Sequence, residues 1–134
     1  MASNFFEPGI NYYVDDVEKI AQFYIDNFGF VETFRTPKGG ELDKVEIRLG
    51  SFVLGLAKRE AGKSMHGLDI GPADNPRAEV MLWTDDVDEA YDTLIKAGVP
   101  MLIAPHSFLE MLRAAWVLDP EGNPVQIVSR LNQK

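Results

Sequence analysis

Glu79 is the acid in this chain best placed to do chemistry, because it alternates with Met81 and Trp83 and shares their face of one extended strand. A carboxylate among apolar side chains can act as a general base with a raised pKa. It can equally anchor a cationic ligand, or pair with Arg113 or another cation and hold structure. No second catalytic group accompanies it, so anchoring or structure is the preferred reading. There is no cysteine, which removes thiolate chemistry and disulfides. Ser51, Ser64, Ser107 and Ser129 lie in no Gly-x-Ser-x-Gly turn, so acyl transfer has no support. Gly39-Gly40 lacks the Lys-Ser/Thr of a phosphate loop and reads as a turn. The two histidines, His66 and His106, fall in segments read as loops.

The elements that position these residues come from a repeat. Val14–Glu32 and Thr84–Leu102 follow one template: a strand ending in Asp-Asp-Val, an amphipathic helix, a closing glycine, a new strand. The Asp pairs begin at 15 and 85 and the glycines are Gly29 and Gly98, offsets of 70 and 69. Asp15 or Asp16 caps the first helix, whose Val17, Ile20, Ala21, Tyr24 and Phe28 form a buried stripe. Strands are predicted at 10–14, 30–35, 43–49 and 52–58, then at 78–84, 101–104, 113–118 and 124–128, with the second helix at 87–97. Residues 59–77, rich in Gly, Pro, Asp and Asn, read as a linker. The expected fold is α+β: a single domain over 1–134 made of two tandem βαβββ modules, 9–58 and 78–129, forming a cupped mixed sheet whose cleft carries the function.

Composition sets the outer bounds. The chain has 134 residues, 46% of them hydrophobic and 25% charged, as expected of a globular domain. No apolar run approaches the roughly 20 residues of a membrane span, and MASNFFEPG has neither the basic region nor the apolar stretch expected of a signal peptide. With no cysteine, the cytoplasm is the expected location. The net charge of −8 argues against a nucleic-acid partner. Because the acids are scattered, the charge is read first as a solubility feature and second as a preference for a cationic ligand.

The strand running into DDVEKIAQFYIDNFGF, and the later LDPEGNPVQIV, resemble the vicinal oxygen chelate superfamily, which includes glyoxalase I, bleomycin-resistance proteins and extradiol dioxygenases. The likeness runs through nearly the whole chain. It implies four inward-facing positions, on the first and fourth strands of each half, where the family's enzymes hold a divalent metal with His, Glu or Gln. Alignment on Asp-Asp-Val and Asp-Pro-x-Gly-Asn puts Gly9 at the first, Leu54 at the second (Gly55 if the register slips by one), Glu79 at the third and Gln126 at the fourth. Glycine and leucine offer no donor, and one carboxylate with one amide makes a poor site, even with an oxygen from Asn11. The expectation is no metal and no cofactor.

What remains is a cup of aromatic and apolar groups with a few polar ones, the make-up of a small-molecule pocket. Its expected lining is Asn11, Tyr13, Leu54, Glu79, Met81, Trp83, His106, Phe108, Met111, Trp116 and Gln126; the resemblance implies that 105–111 is a loop over the cleft. The resemblance then implies a metal-free protein, most like the bleomycin-resistance branch, that sequesters a planar aromatic antibiotic as a homodimer; the net charge adds the preference for a cationic one. Two alternatives stay open. One is a lyase, isomerase or dioxygenase that is metal-dependent or uses Glu79 as base. The other is a binder of an ordinary metabolite.

Overall fold

The computed structural model describes residues 4–72 and 74–131. Residue 73 of the expected linker, and residues 1–3 and 132–134 of the expected domain, lie outside the described residues. Eleven elements follow in order: β1 Ile10–Val14, α1 Val17–Phe28, β2 Val31–Thr36, β3 Lys44–Leu49, β4 Phe52–Lys58, α2 Arg59–His66, β5 Val80–Trp83, α3 Val87–Lys96, β6 Met101–Phe108, β7 Leu112–Leu118 and β8 Pro124–Arg130. The chain divides into two compact units after Pro72. Each unit holds one four-stranded mixed sheet, ordered β1-β4-β3-β2 in the first and β5-β8-β7-β6 in the second. In both, the first strand pairs in parallel with the last and the remaining pairs are antiparallel. The expected α+β architecture of two tandem βαβββ modules is thus present, one module in each unit.

Local sequence explains the repeat. Asp16 and Asp86 sit in extended backbone before their helices and accept hydrogen bonds from the backbone N–H of Lys19 and Glu89, each at 3.1 Å. This satisfies donors that have no partner inside the helix. Gly29 ends α1 at φ 78°, a left-handed conformation that a side chain would oppose.

The first unit's core lies between α1 and its sheet. Val17, Ile20, Ala21 and Tyr24 of the helix are buried, as are Phe30, Val45, Ile47, Leu54 and Leu56 beneath them. Tyr24 and Phe30 meet edge to face, 5.6 Å apart. In the second unit Val87 and Leu94 of α3 join Val80, Ala115, Val117, Val125 and Ile127. Each fully buried aliphatic side chain contributes on the order of 1.5–3 kcal/mol. An arginine also ties each helix to its sheet: Arg35 reaches Glu18 at 3.5 Å, and Arg113 reaches Asp88 at 2.7 Å.

Three expectations are corrected. The expected linker is not irregular throughout, since its first eight residues, 59–66, form α2. Arg59 anchors that helix by pairing with Asp15 and donating to the carbonyl of Tyr13 at 2.9 Å. The segment expected as a loop from residue 105 is extended through Phe108. Pro105 fits there because β6 is an edge strand whose register shifts between Ile103 and His106. Finally, Leu54 is wholly buried on the helix side, so it faces the core.

Candidate functional site

In each unit one face of the sheet packs on its helix, and the other face carries the candidate groups. Strand pairing settles which residues share that other face. In the second unit, Met81 stands beside Gln126, Gln126 opposite Trp116, and Trp116 opposite Ile103. The next row runs Trp83, Val128, Ala114, His106, and the last runs Arg130, Leu112, Phe108. Glu79, two residues before Met81, continues the same face.

The side chains form two contact groups. Trp116 and His106 stack nearly parallel, with centroids 5.9 Å apart and planes 16° apart, and Phe108 lies 6.1 Å beyond His106. The imidazole is oriented by its Nδ1, which donates to the carbonyl of Ala104 at 3.0 Å. Trp116 Nε1 donates to Glu79 Oε1 at 2.9 Å. Glu79 therefore pairs with an indole. Arg113, the partner considered from sequence, lies on the helix side, donating to Asp88 and Ser107. The second group is Trp83 with the Arg130 guanidinium 4.1 Å above its ring, a cation–π contact. Trp83 is 47% exposed and Met81 52%, so flat and polarisable surface faces outward. Met111 is exposed too, in the turn between β6 and β7, where Leu109 and Glu110 adopt φ of 50° and 63°.

The first unit presents a different surface. Asn11 and Tyr13 face the side away from α1, with Gly55 and Ala57 beside them and Glu46 and Lys44 next across. A β-carbon built on Gly55 would lie 2.0 Å from Asn11 Oδ1, so the asparagine carboxamide fills the space a residue there would need. The residue of β4 on Asn11's face is therefore Gly55. Leu54, the sequence-derived candidate, points the other way. On the far side α2 approaches closely through Gly62, whose added β-carbon would sit 3.1 Å from Tyr13 Cε1.

These placements decide the donor chemistry. The four positions implied for a metal carry Gly9, Gly55, Glu79 and Gln126, two of which have no side-chain donor. Glu79 is engaged by an indole N–H. Among the described residues, no group of three or more His, Cys, Asp or Glu comes together to hold a metal ion. The residues present do not fit the family's metal. Asn11, Tyr13, Glu79, Met81, Trp83, His106, Phe108, Trp116 and Gln126 all occupy the faces turned away from α1 and α3, each in its own unit. Sequence reasoning missed Arg130, although it continues the alternation of Gln126 and Val128 along β8.

Comparison with known proteins agrees with this architecture. The sequence model of the family described as Glyoxalase/Bleomycin resistance protein/Dioxygenase superfamily matches residues 8–127. Among curated proteins none matches the chain. A solved glyoxalase/bleomycin resistance protein/dioxygenase family enzyme from Burkholderia phytofirmans PsJN superposes with a TM-score of 0.80 at 24% identity, covering 93% of this chain and 98% of that one. TioX from Micromonospora sp. ML1 gives 0.71 at 20% identity, covering 91% and 96%. Lactoylglutathione lyase from Agrobacterium tumefaciens gives 0.68 at 21% identity, covering 90% of each chain. At these identities the likeness is one of fold. Among the described residues no helix is long and apolar enough to cross a membrane.

Proposed function

Since the chain belongs to the Glyoxalase/Bleomycin resistance protein/Dioxygenase superfamily, we propose that it is a member that binds, without a metal, a planar aromatic small molecule such as a natural-product antibiotic, and sequesters it unchanged. The observation that carries this reading is the outward-facing aromatic row of the second unit. Trp116, His106 and Phe108 form one stack and Trp83 with Arg130 another. Flat π surfaces bind flat ligands without demanding a particular hydrogen-bond pattern, and a few polar groups then fix orientation. Glu79 and Gln126 supply those groups.

The Trp116–Glu79 hydrogen bond supports an anchoring role for the carboxylate. It orients Glu79 without a partner that could relay a proton, and leaves its second oxygen for a cationic group of the ligand. The charge of −8 favours such a ligand. In this reading the protein is a cytoplasmic homodimer. Edge strand β6 supports self-association, because Met101, Leu102 and Ile103 are consecutive, apolar and exposed.

Two measurements test the proposal together. Calorimetric titration of chelator-treated protein with nickel, zinc, manganese and ferrous iron is expected to show no stoichiometric binding. A bound planar antibiotic is expected to be recovered chemically intact after prolonged incubation. A tight metal site abolished by Glu79→Ala, with turnover lost in Glu79→Gln, would instead establish an enzyme.

A further inference from the structure

The first unit contains a cavity of about 190 Å³ between the open face of its sheet and α2. We propose that this cavity is a binding site for a small organic carboxylate with an apolar body of one-ring size. The inference stands on the first unit alone and does not rest on the aromatic face of the second.

Size comes first. Pockets for drug-sized molecules begin near roughly 300 Å³, so a cavity of about 190 Å³ takes something smaller. Two glycines shape it. Gly55 allows Asn11 to lie flat on β4, and Gly62 allows α2 to close on the ring of Tyr13. Ala57, Ala61 and Met65 then provide an apolar wall. Met65 is an adaptable surface against a ring.

Charge selects the head group. In a chain of net charge −8, this cavity is lined by two lysines, Lys44 and Lys58, and one acid, Asp43, with the His66 ring beside them. Lys58 is ion-paired with Glu41, which is not part of the cavity wall. Lys44 Nζ contacts Glu46 at 3.3 Å. An ammonium has three donors, so Lys44 can hold Glu46 and still bind a ligand carboxylate. A cationic ligand would meet the two lysine ammonium groups and find only Asp43 as a carboxylate in the wall. A neutral one would forgo the charge-assisted bond. The Asn11 carboxamide, placed by Gly55, adds a donor that the helix-facing Leu54 could not.

The test is an NMR titration of the full chain with three matched probes: benzoate, benzamide and benzylamine. Benzoate is expected to shift the amides of Ala57, Ala61 and Met65 saturably, benzamide more weakly and benzylamine not at all. Lys44→Gln is expected to weaken benzoate about tenfold, the size of one charge-assisted hydrogen bond, while Lys44→Arg retains it. Ala61→Phe, which fills the cavity from α2 without touching the ion pair, is expected to abolish binding. The amide spectrum of each variant reports its folding directly. The proposal is overturned if benzoate shifts nothing, if benzylamine shifts the same amides as strongly, if Lys44→Gln binds benzoate as well as the parent, or if the shifts fall on β5–β8.

Discussion

The two units share a helix side and differ on the opposite side. On the helix side both carry an aspartate cap, a Val-initiated helix, an aliphatic core and an arginine that ties helix to sheet. On the other side the first unit has an asparagine laid over a glycine, a Lys44–Glu46 pair and a covering helix. The second has tryptophans, a stacked histidine and an arginine over an indole. The difference teaches that the helix side is constrained by packing, where every methylene counts. On the open side the chemistry differs between the units: the positions implied for a metal carry glycine in the first, and an indole-bonded acid and an amide in the second.

The sharpest break in the comparison is Leu54 against Trp83. Leu54→Ala removes a wholly buried side chain and is expected to cost about 2–5 kcal/mol in chemical denaturation. Trp83→Ala is expected to cost only about 1 kcal/mol, the cation–π contact with Arg130, while removing ligand binding. Equal stability losses would mean that the two faces are not divided as described.

A second variant probes the open side of the first unit. Gly55→Ala forces Asn11 aside and is expected to destabilise by about 1–3 kcal/mol. The double variant Asn11→Ala with Gly55→Ala is expected to recover most of that loss, because the clash is between those two side chains. Additive losses in the double-mutant cycle would show that Asn11 does not lie over Gly55.

The smallest effect concerns the shared helix side. Hydrogen bonding from Arg113 holds the Asp88 carboxyl below its ordinary value of 3.8, and Arg35 does the same for Glu32, below 4.5. A depressed folded-state pKa gives stability that is present above the unfolded value and lost as pH falls through the folded one. Asp88→Asn and Glu32→Gln are each expected to lose a little stability at pH 7 and none at the acid end, since these pairs are solvent-screened. The stability gap to the parent is therefore expected to close only below about pH 4, in both units alike. Thermal melts across that range measure it, and a gap that persists in acid would contradict the ion-pair assignment.

Much of this was legible in the sequence, for local reasons. The caps at Asp16 and Asp86 and the stop at Gly29 are decided within four residues of chain, so the motifs that announce them suffice. The face of β4 was not decided locally. Val53, Leu54, Gly55, Leu56 and Ala57 are apolar or small on both faces, and only pairing of Asn11 with Gly55 fixes which side Leu54 takes. Helix α2 was hidden by Gly62, since glycine disfavours helix interiors. Contact with Tyr13 and the anchor at Arg59 offset that preference. The loop expected at 105–111 came from the resemblance, and it kept His106 off the strand that stacks it on Trp116. Arg130 lay two residues past the expected end of β8.

The central claim is that the open face of the second unit is a stacking platform, and the chain supplies its own reporter. Both of its tryptophans, Trp83 and Trp116, lie on that face, so intrinsic fluorescence reads the site and little else. The decisive measurement is a fluorescence titration with a broad panel of planar aromatic antibiotics in the presence of chelator. At least one is expected to quench saturably at micromolar concentration, with the response lost in Trp83→Ala or Trp116→Ala proteins that remain folded. No quenching by any member of the panel, or quenching that requires added metal, would contradict the account.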